Sequence, residues 1–593
     1  MSTATAKPAS RTQLRDQQVK QAEEILGALP QQQGVAKGLF WGKFVSNWIF
    51  PYPQFTSAQQ SDVHQAVAEV SRWCDEHLDP AKIDREAMIS REVIDGLANL
   101  GVLGMTAPPE IGGRGFSQMG YGKILEVLGA RCSATSIFVN AHHSIGMRAL
   151  LLFGTDEQQR KWLPDLVSGK KLAAFALTEA EAGSDAANVQ TLATPSSDGS
   201  HFVLNGQKRY ITNGSVADVL TVMARTPVPG RETTQVTAFL VTPDMPGFKV
   251  IEPRMEKLGI RGTATAKLAF ENMSVPKENI LGKLGNGLKV ALTVLNFGRT
   301  TFGACCTGAA KTCLHLAVDH AKTRKQFGRT LAEFELVQQK LARIAAWTYA
   351  MDAMTTVTAG LIDRGLEDYM LETAMLKVWS TERLWTIVND TFQIYGGAAY
   401  FTDKPLERML RDHRLNQIGE GANEVLLSFI VLTGLRGPAL RLKEVYDATQ
   451  KPFSSLGTIA GFAGEWAKSL LQAPVVPVRA AAMVPFGLRL SKLISRFGRA
   501  VQSTVIRYKE EVLERQLEQE RLSWAAMELF ASACVLSRYD AETAETGETH
   551  LATARWFLTD SLNLVEQQLN QLHSPVDARL LAVAKDVLHA RTT

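Results

Sequence analysis

HFVLNG (201–206), RYITNG (209–214), VLTVMA (219–224), TAFLVT (237–242) and KLAFENMSVP (267–276) are short, β-branched or aromatic runs. Turn residues punctuate them at Asn205-Gly206, Asn213-Gly214 and Pro246-Gly247, the pattern of antiparallel strands. The texture changes near Lys171, so residues 174–282 are read as a middle β domain. On its N-terminal side, SDVHQAVAEVSRWCDEHL and REVIDGLANLGVLGM repeat apolar residues at three- and four-residue spacing. PPEIGGRGF (108–116) breaks that pattern, and 56–173 reads as a helical domain behind an extension of residues 1–55. On the other side, long helical periods run from Leu288 and from Phe334, giving a helical domain over 283–435. A Gly/Pro-marked linker near Gly434–Pro438 then leads to further helix, 450–593. The expected fold is mainly α with an inserted antiparallel β domain.

The 593 residues exceed what one core accommodates. With 64 Lys+Arg against 60 Asp+Glu, the chain lacks the basic excess of a polyanion binder, which argues against nucleic acid as its partner. Six scattered cysteines without Cys-x-x-Cys suggest neither a disulfide framework nor a metal site, and point to a reducing compartment. No run reads as a membrane span, and MSTATAKPASRTQLRDQQVK lacks a secretory h-region and reads as an exposed tail. G-x-G-x-x-G after a strand and Walker A are both absent, so chemistry must rest on acid/base side chains and an organic cofactor. His142 and His143 are adjacent, without metal-ligand spacing, and read as polar residues of a helix connection.

Three segments stand out. In FALTEAEAGSD (175–185), Thr178 and Ser184 flank Gly183, where backbone N–H groups can approach an oxygen-rich ligand; a polar loop is the plainer reading. In QIYGG (393–397), two glycines interrupt helical sequence at roughly 1 kcal/mol each, which suits close approach of a ligand or a second chain, or a helix end. In Gly419-Glu420-Gly421, a carboxylate between glycines has the access a general base needs, although most such triplets are loops.

Taken in order with RYITNG, LGIRG (258–262), TRKQFG (323–328) and EGANE (420–424), these segments resemble the acyl-CoA dehydrogenases. Phe50-Pro-Tyr-Pro53 and the C-terminal helices resemble the very-long-chain branch and its mitochondrial paralogue. The resemblance implies a helical domain, a β domain, a four-helix bundle and an added helical module. It also implies α,β-dehydrogenation of a long-chain or very-long-chain acyl-CoA in fatty-acid β-oxidation. A base takes the α-proton, hydride passes to FAD, and an electron-transfer flavoprotein receives the electrons. An acyl-CoA oxidase using O2 and a flavin-bound assembly or scaffold protein are the alternatives.

By motif, Glu420 is the implied base, because Gly298 occupies the position, beside Arg299, where some relatives carry it. The resemblance assigns FAD to Phe175, Leu177, Thr178, Gly183, Ser184, Tyr210, Ile211 and Thr212, with Ala422 and Glu424 near the base. It assigns Arg324, Phe327, Gln393, Gly396 and Gly397 to FAD of a neighbouring subunit, hence a homodimer. Ser184, Leu288, Arg299, Gly419 and Gly421 would border the substrate. Position 419 is commonly aromatic and 422 often Thr in the family; Gly and Ala here leave substrate preference open.

Residues 466–509 contain eight Lys+Arg and no acid. Over 486–505, Phe486, Leu490, Leu493, Ile494, Phe497, Val501 and Val505 share one helical face, opposite Arg489, Lys492, Arg496 and Arg499. That face suits an anionic membrane surface, or packing on its own domain. The expected location is the bacterial cytoplasm with peripheral inner-membrane attachment, or the mitochondrial matrix and inner membrane in a eukaryote.

Overall fold

The computed structural model describes residues 34–449, 472–546 and 549–590. The N-terminal residues 1–20 and residues 466–471 of the basic segment lie outside them. The helices are α1 (Val35–Phe40), α2 (Ser57–His77), α3 (Pro80–Glu86), α4 (Arg91–Asn99), α5 (Gln118–Arg131) and α6 (Ser133–Val139). A π-helical turn, Asn140–Met147, joins α6 to α7 (Arg148–Phe153), and α8 spans Asp156–Val167. After the sheet come α9 (Gly287–Thr323), α10 (Glu335–Asp363), α11 (Met370–Tyr395), α12 (Leu406–Arg414) and α13 (Asn423–Thr449). The last are α14 (Val484–Tyr508), α15 (Gln516–Thr546), α16 (Leu551–Asn570) and α17 (Val576–Ala590).

The strands are β1 (Ala173–Ala176), β2 (Leu192–Pro195), β3 (His201–Ile211), β4 (Val219–Thr226), β5 (Gln235–Val241), β6 (Phe248–Glu252), β7 (Ala266–Pro276) and β8 (Ile280–Leu281). They form one sheet in the order β6-β7-β3-β2-β4-β5-β8, with β1 against β4. Two expectations need correction. The sheet is mixed, because β1 runs parallel to β4, as does β2 at Leu192↔Arg225. Asn205-Gly206 is no turn but an irregularity inside β3, where the register shifts between Leu204 and Gly206. A Cβ on Gly206 would come within 2.5 Å of the Thr191 hydroxyl, so glycine is there for close approach.

Helices α9, α10, α11 and α13 form the bundle, and the C-terminal helices pack on it as part of one continuous apolar core. Gly434–Pro438 is not a linker: it lies within α13. A Cβ on Gly434 would fall 2.4 Å from the Phe40 ring and one on Gly437 3.0 Å from Trp41, so these glycines admit α1 against α13. By length and composition, Asn423–Glu444 would also pass as a membrane span, contrary to the sequence reading. In the fold, its Leu426, Ile430, Val431 and Leu435 belong to the core.

The basic segment is corrected too. Leu490, Leu493, Ile494, Phe497, Val501 and Val505 of α14 are buried in the core of the chain itself, so this face is not available to a membrane. On the other face, Arg489 pairs with Glu566 at 3.0 Å, and Arg496 donates to Asn570 at 2.6 Å. A charged knot ties the parts of the fold together. Asp352 of α10 meets Lys123 of α5, Lys311 of α9 and Arg538 of α15 at 2.9, 3.2 and 3.2 Å.

Candidate active site

Helix α12 ends in a short 3-10 turn, Leu415–Gln417, whose Leu415 carbonyl accepts from Ile418 and Gly419 at 2.8 and 2.9 Å. The chain then reverses through two successive left-handed residues, Glu420 at φ +56° and Gly421 at φ +97°, before α13 begins. Glycine adopts this region freely; glutamate does so at a cost of roughly 1–3 kcal/mol, which surrounding contacts must sustain.

Those contacts come from three helices. Asn140, in the π-helical turn, donates from Nδ2 to Glu420 Oε1 at 3.0 Å. The Thr301 hydroxyl of α9, 2.5 Å from Asn140 Oδ1, sets the orientation of that amide. Lys377 of α11 donates to the Gly421 carbonyl at 2.8 Å and to Asn423 Oδ1 at 2.7 Å. Glu420 Oε2 is enclosed and has no hydrogen-bond partner among the described residues. Burial raises the carboxyl of Glu420 to about 7, although the charges of Arg299 and Lys377 and the Asn140 hydrogen bond all pull it down. Arg299 is no surface residue: it is buried, and burial lowers its guanidinium to about 10. A carboxylate with this affinity and one free oxygen can accept a proton from a carbon acid near neutral pH.

Gly298 faces the same point. A Cβ there would lie 2.7 Å from Glu420 Oε2 and 3.0 Å from Ile145 Cδ1. Positions 298 and 420 therefore converge on one spot, and a side chain at 298 would displace the carboxylate. Gly419 is different: a Cβ there would meet only Leu415, at ordinary contact of 3.7 Å and beyond. Its missing side chain leaves room rather than relieving a clash.

The second cluster lies where β1 leaves the sheet. Lys208 of β3, fully buried, donates to the Leu177 carbonyl at 3.0 Å and to Glu179 at 2.6 Å. Glu179 also accepts from the Gln190 and Thr191 amides and from the Thr191 hydroxyl. These bonds close the loop 178–191 at its base and leave Gly183 and Ser184 exposed at its tip. The Arg209 amide donates to the Thr178 carbonyl at 2.9 Å, placing Thr178 beside Tyr210. Tyr210 sits at a register shift of β3 with φ +59° and is 56% exposed; Ile211 is buried and Thr212 half-buried. Phe175, Leu177 and Leu288 share one apolar cluster with Ile145. The sheet is fastened to the helix bearing Asn140: Asn213 donates to the Phe138 carbonyl at 3.1 Å, and the Ala173 amide to His142 Nδ1 at 2.9 Å. His142 and His143 are thus buried residues of the π-helical turn that joins α6 to α7.

A third cluster stands apart. Arg324 and Phe327 follow the end of α9, Gln393 lies in the last turn of α11, and Gly396 and Gly397 follow that helix. Stacking of His320 on Tyr395 at 4.0 Å brings these two ends together. Arg299 and Arg324 are separated along α9 by roughly 37 Å at 1.5 Å per residue. The structure therefore does not bring 324–327 and 393–397 to Glu420 within one chain. Ala422 precedes α13 and Glu424 is exposed in its first turn, both next to Glu420 in the chain.

Sequence reading missed Asn140, Lys377, Asn423 and Lys208. Lys377 carried a signal, a lone cation inside the apolar run AMLKVW. Asn140 carried none, since its role depends on a contact 280 residues away.

Three family models, described as the acyl-CoA dehydrogenase N-terminal, middle and C-terminal domains, match residues 60–170, 174–273 and 285–433. The chain belongs to the acyl-CoA dehydrogenase family. A fourth model, the ACAD9/ACADV C-terminal domain, matches residues 483–593 of this dehydrogenase. It is 35% identical over 538 residues to the human mitochondrial very long-chain specific acyl-CoA dehydrogenase, covering 87% of this chain and 80% of that protein. It is 32% identical to the probable acyl-CoA dehydrogenase FadE10 of Mycobacterium tuberculosis, covering 99% and 93%. Among solved structures, the Bacillus anthracis acyl-CoA dehydrogenase complexed with FAD superposes with a TM-score of 0.77 at 27% identity, covering 90% and 91%.

Proposed function

We propose that this FAD-dependent acyl-CoA dehydrogenase acts on long-chain acyl thioesters and passes its electrons to an electron-transfer flavoprotein. The observation that carries the chemistry is the enclosed Glu420 carboxylate, raised to about 7 by burial, with Oε2 unpartnered. FAD, when bound, accepts the hydride from the β-carbon.

The residues present fit that group. At Gly183, Gly396 and Gly397 a Cβ would meet nothing within 4 Å among the described residues, so their backbones stand open to a phosphate-bearing ligand. The Arg209 Nε, buried beside Tyr210, has no hydrogen-bond partner among the described residues. Thr178, Ser184 and Thr212 would supply hydroxyl donors, and Phe175, Leu177, Tyr210 and Ile211 the apolar wall. Glu420 takes the α-proton onto Oε2 while the other carboxylate oxygen keeps its bond to Asn140. Leu288, Arg299, Gly419 and Gly421 border the acyl thioester, and the space left at Gly419 supports a long chain.

Arg324, Phe327, Gln393, Gly396 and Gly397 would complete the FAD site of a second copy. Phe327 is 94% exposed, and Tyr400 and Phe401, which follow Gly397 along the chain, are exposed too, as an interface would use. The separation along α9 is the reason to assign these residues to a partner rather than to the same chain.

The purified protein should reduce a dye acceptor with palmitoyl-CoA at least tenfold faster than with butyryl-CoA and release the trans-2-enoyl thioester. Light scattering should give twice the chain mass. Turnover that needs no dye and yields peroxide would make it an oxidase. A preference for butyryl-CoA would remove the chain-length assignment, and a monomer holding FAD would remove the shared site.

A further inference from the structure

We infer that Lys377 is a positioning residue for the base: it pins the strained turn through the Gly421 carbonyl and sets the electrostatic field at the Glu420 carboxylate. The inference rests on Glu420 being the base.

Lys377 sits in the middle of α11 and is fully buried. A buried ammonium is expensive unless its donors are used and its charge is opposed. Two donors are spent on one side of the turn, on the Gly421 carbonyl and on Asn423 Oδ1. Asn423 is itself held, donating to Thr381 at 3.0 Å and to Glu382 at 2.6 Å. Both acceptors stand one turn further along the helix that bears Lys377, so α11 grips the chain on both sides of Ala422. This grip fixes Gly421 in its left-handed conformation, and hence the direction in which the preceding Glu420 side chain leaves the backbone.

The charge argument is separate. Two charged groups act on Glu420 through space, Arg299 from α9 and Lys377 from α11, with Asn140 bonded to Oε1, while the Glu420 charge in turn helps push up the neutral thiols of Cys305 and Cys306 on α9. Lys377 in turn faces Glu420, Arg299, Cys306 and Glu382. Burial drives the ammonium of Lys377 down to about 7, and the Glu420 charge is the leading influence that opposes this. Lysine and glutamate therefore favour each other's ionised forms inside one enclosed site. Removing the lysine charge leaves Arg299 as the cation acting on Glu420, so the carboxyl should bind its proton more tightly.

The test uses the FAD-loaded full-length protein and two variants. Lys377→Gln keeps an N–H donor for the Gly421 carbonyl but carries no charge; Lys377→Met removes both. Three readouts are compared: the pH dependence of kcat/KM, the infrared titration of the Glu420 carboxyl without substrate, and thermal unfolding alone and combined with Glu420→Gln. In Lys377→Gln the acid limb of kcat/KM and the infrared midpoint should both move up by at least one pH unit, with KM changed less than threefold. In Lys377→Met the same shift should be accompanied by slower turnover, down at least a hundredfold at saturating substrate. The Met substitution should also cost more thermal stability at pH 8 in wild type than in the Glu420→Gln background, because only the former leaves a buried carboxylate unopposed. Acid limbs and infrared midpoints within 0.2 pH unit of wild type would overturn the inference. So would an equal stability cost in both backgrounds, which marks a purely structural lysine. If Glu420→Gln alone keeps full activity, the base assignment fails; the infrared and stability readouts report on the Lys377–Glu420 coupling even then.

Discussion

Glu420→Gln is expected to lower turnover with palmitoyl-CoA by ~10³-fold, within the range general-base removal produces, while the folded, FAD-loaded state persists. Glutamine preserves shape and can still accept from Asn140 through its carbonyl, so the turn has no reason to rearrange. What disappears is the carboxylate whose free oxygen is enclosed in the site and can take up a proton. The pH profile should change with it. The wild-type carboxyl, raised to about 7, is protonated and inactive below that value, so the rate should rise through neutrality. The residual activity of the variant should lack that rise. Stopped-flow bleaching of the flavin under anaerobic conditions measures the step directly. Wild-type bleaching rates in Glu420→Gln would defeat the assignment and redirect attention to the other enclosed groups around Gly298.

Lys208→Met should be the most damaging single change to stability outside the base region. The pair Lys208–Glu179 is buried on both sides, and breaking such a pair from one side costs roughly 3–5 kcal/mol because the other charge is left unopposed. Burial works against ionised Glu179, yet the Lys208 charge and the bonds from Thr191 and Gln190 outweigh it and hold its carboxyl below the usual range. A carboxyl lowered by folding adds stability above its unfolded value and loses it as pH falls through the folded one. In the variant this acid-side contribution should shrink. Met also leaves the Leu177 carbonyl without its donor. Loop 178–191 would open at its base, so FAD retention through gel filtration should fall together with the urea midpoint. Adding Glu179→Gln should recover part of both, since the uncharged amide removes the stranded charge. Unchanged urea midpoint and FAD content in Lys208→Met would show that the pair does not support the loop.

Much of this was legible in the residues. Short β-branched runs between turn signals marked the β region, because central strands such as β4 and β5 are buried at nearly every residue and so carry continuous apolar sequence. Helical periodicity marked the rest, because residues three and four apart share one face of a helix. The motif order was specific enough to identify the family, and Glu420 stood out because flanking glycines are a local feature. Local signals also misled. Gly434–Pro438 looked like a linker, yet those glycines are spaces for Phe40 and Trp41 arriving from the far end of the chain. The amphipathic face of 486–505 was real, but amphipathicity says only that a face is covered. The partner turned out to be the protein's own core.

Sequence alone thus determined the element types and the family, both written in neighbours along the chain, and it singled out the carboxylate proposed here as the base. Tertiary structure decided what surrounds that carboxylate. Asn140, Thr301, Arg299 and Lys377 come from three helices scattered widely along the chain, and each matters through distance and desolvation rather than through spacing in the sequence. Proton affinity is such a property: burial raises Glu420, opposing charges restrain it, and neither exists until the helices pack.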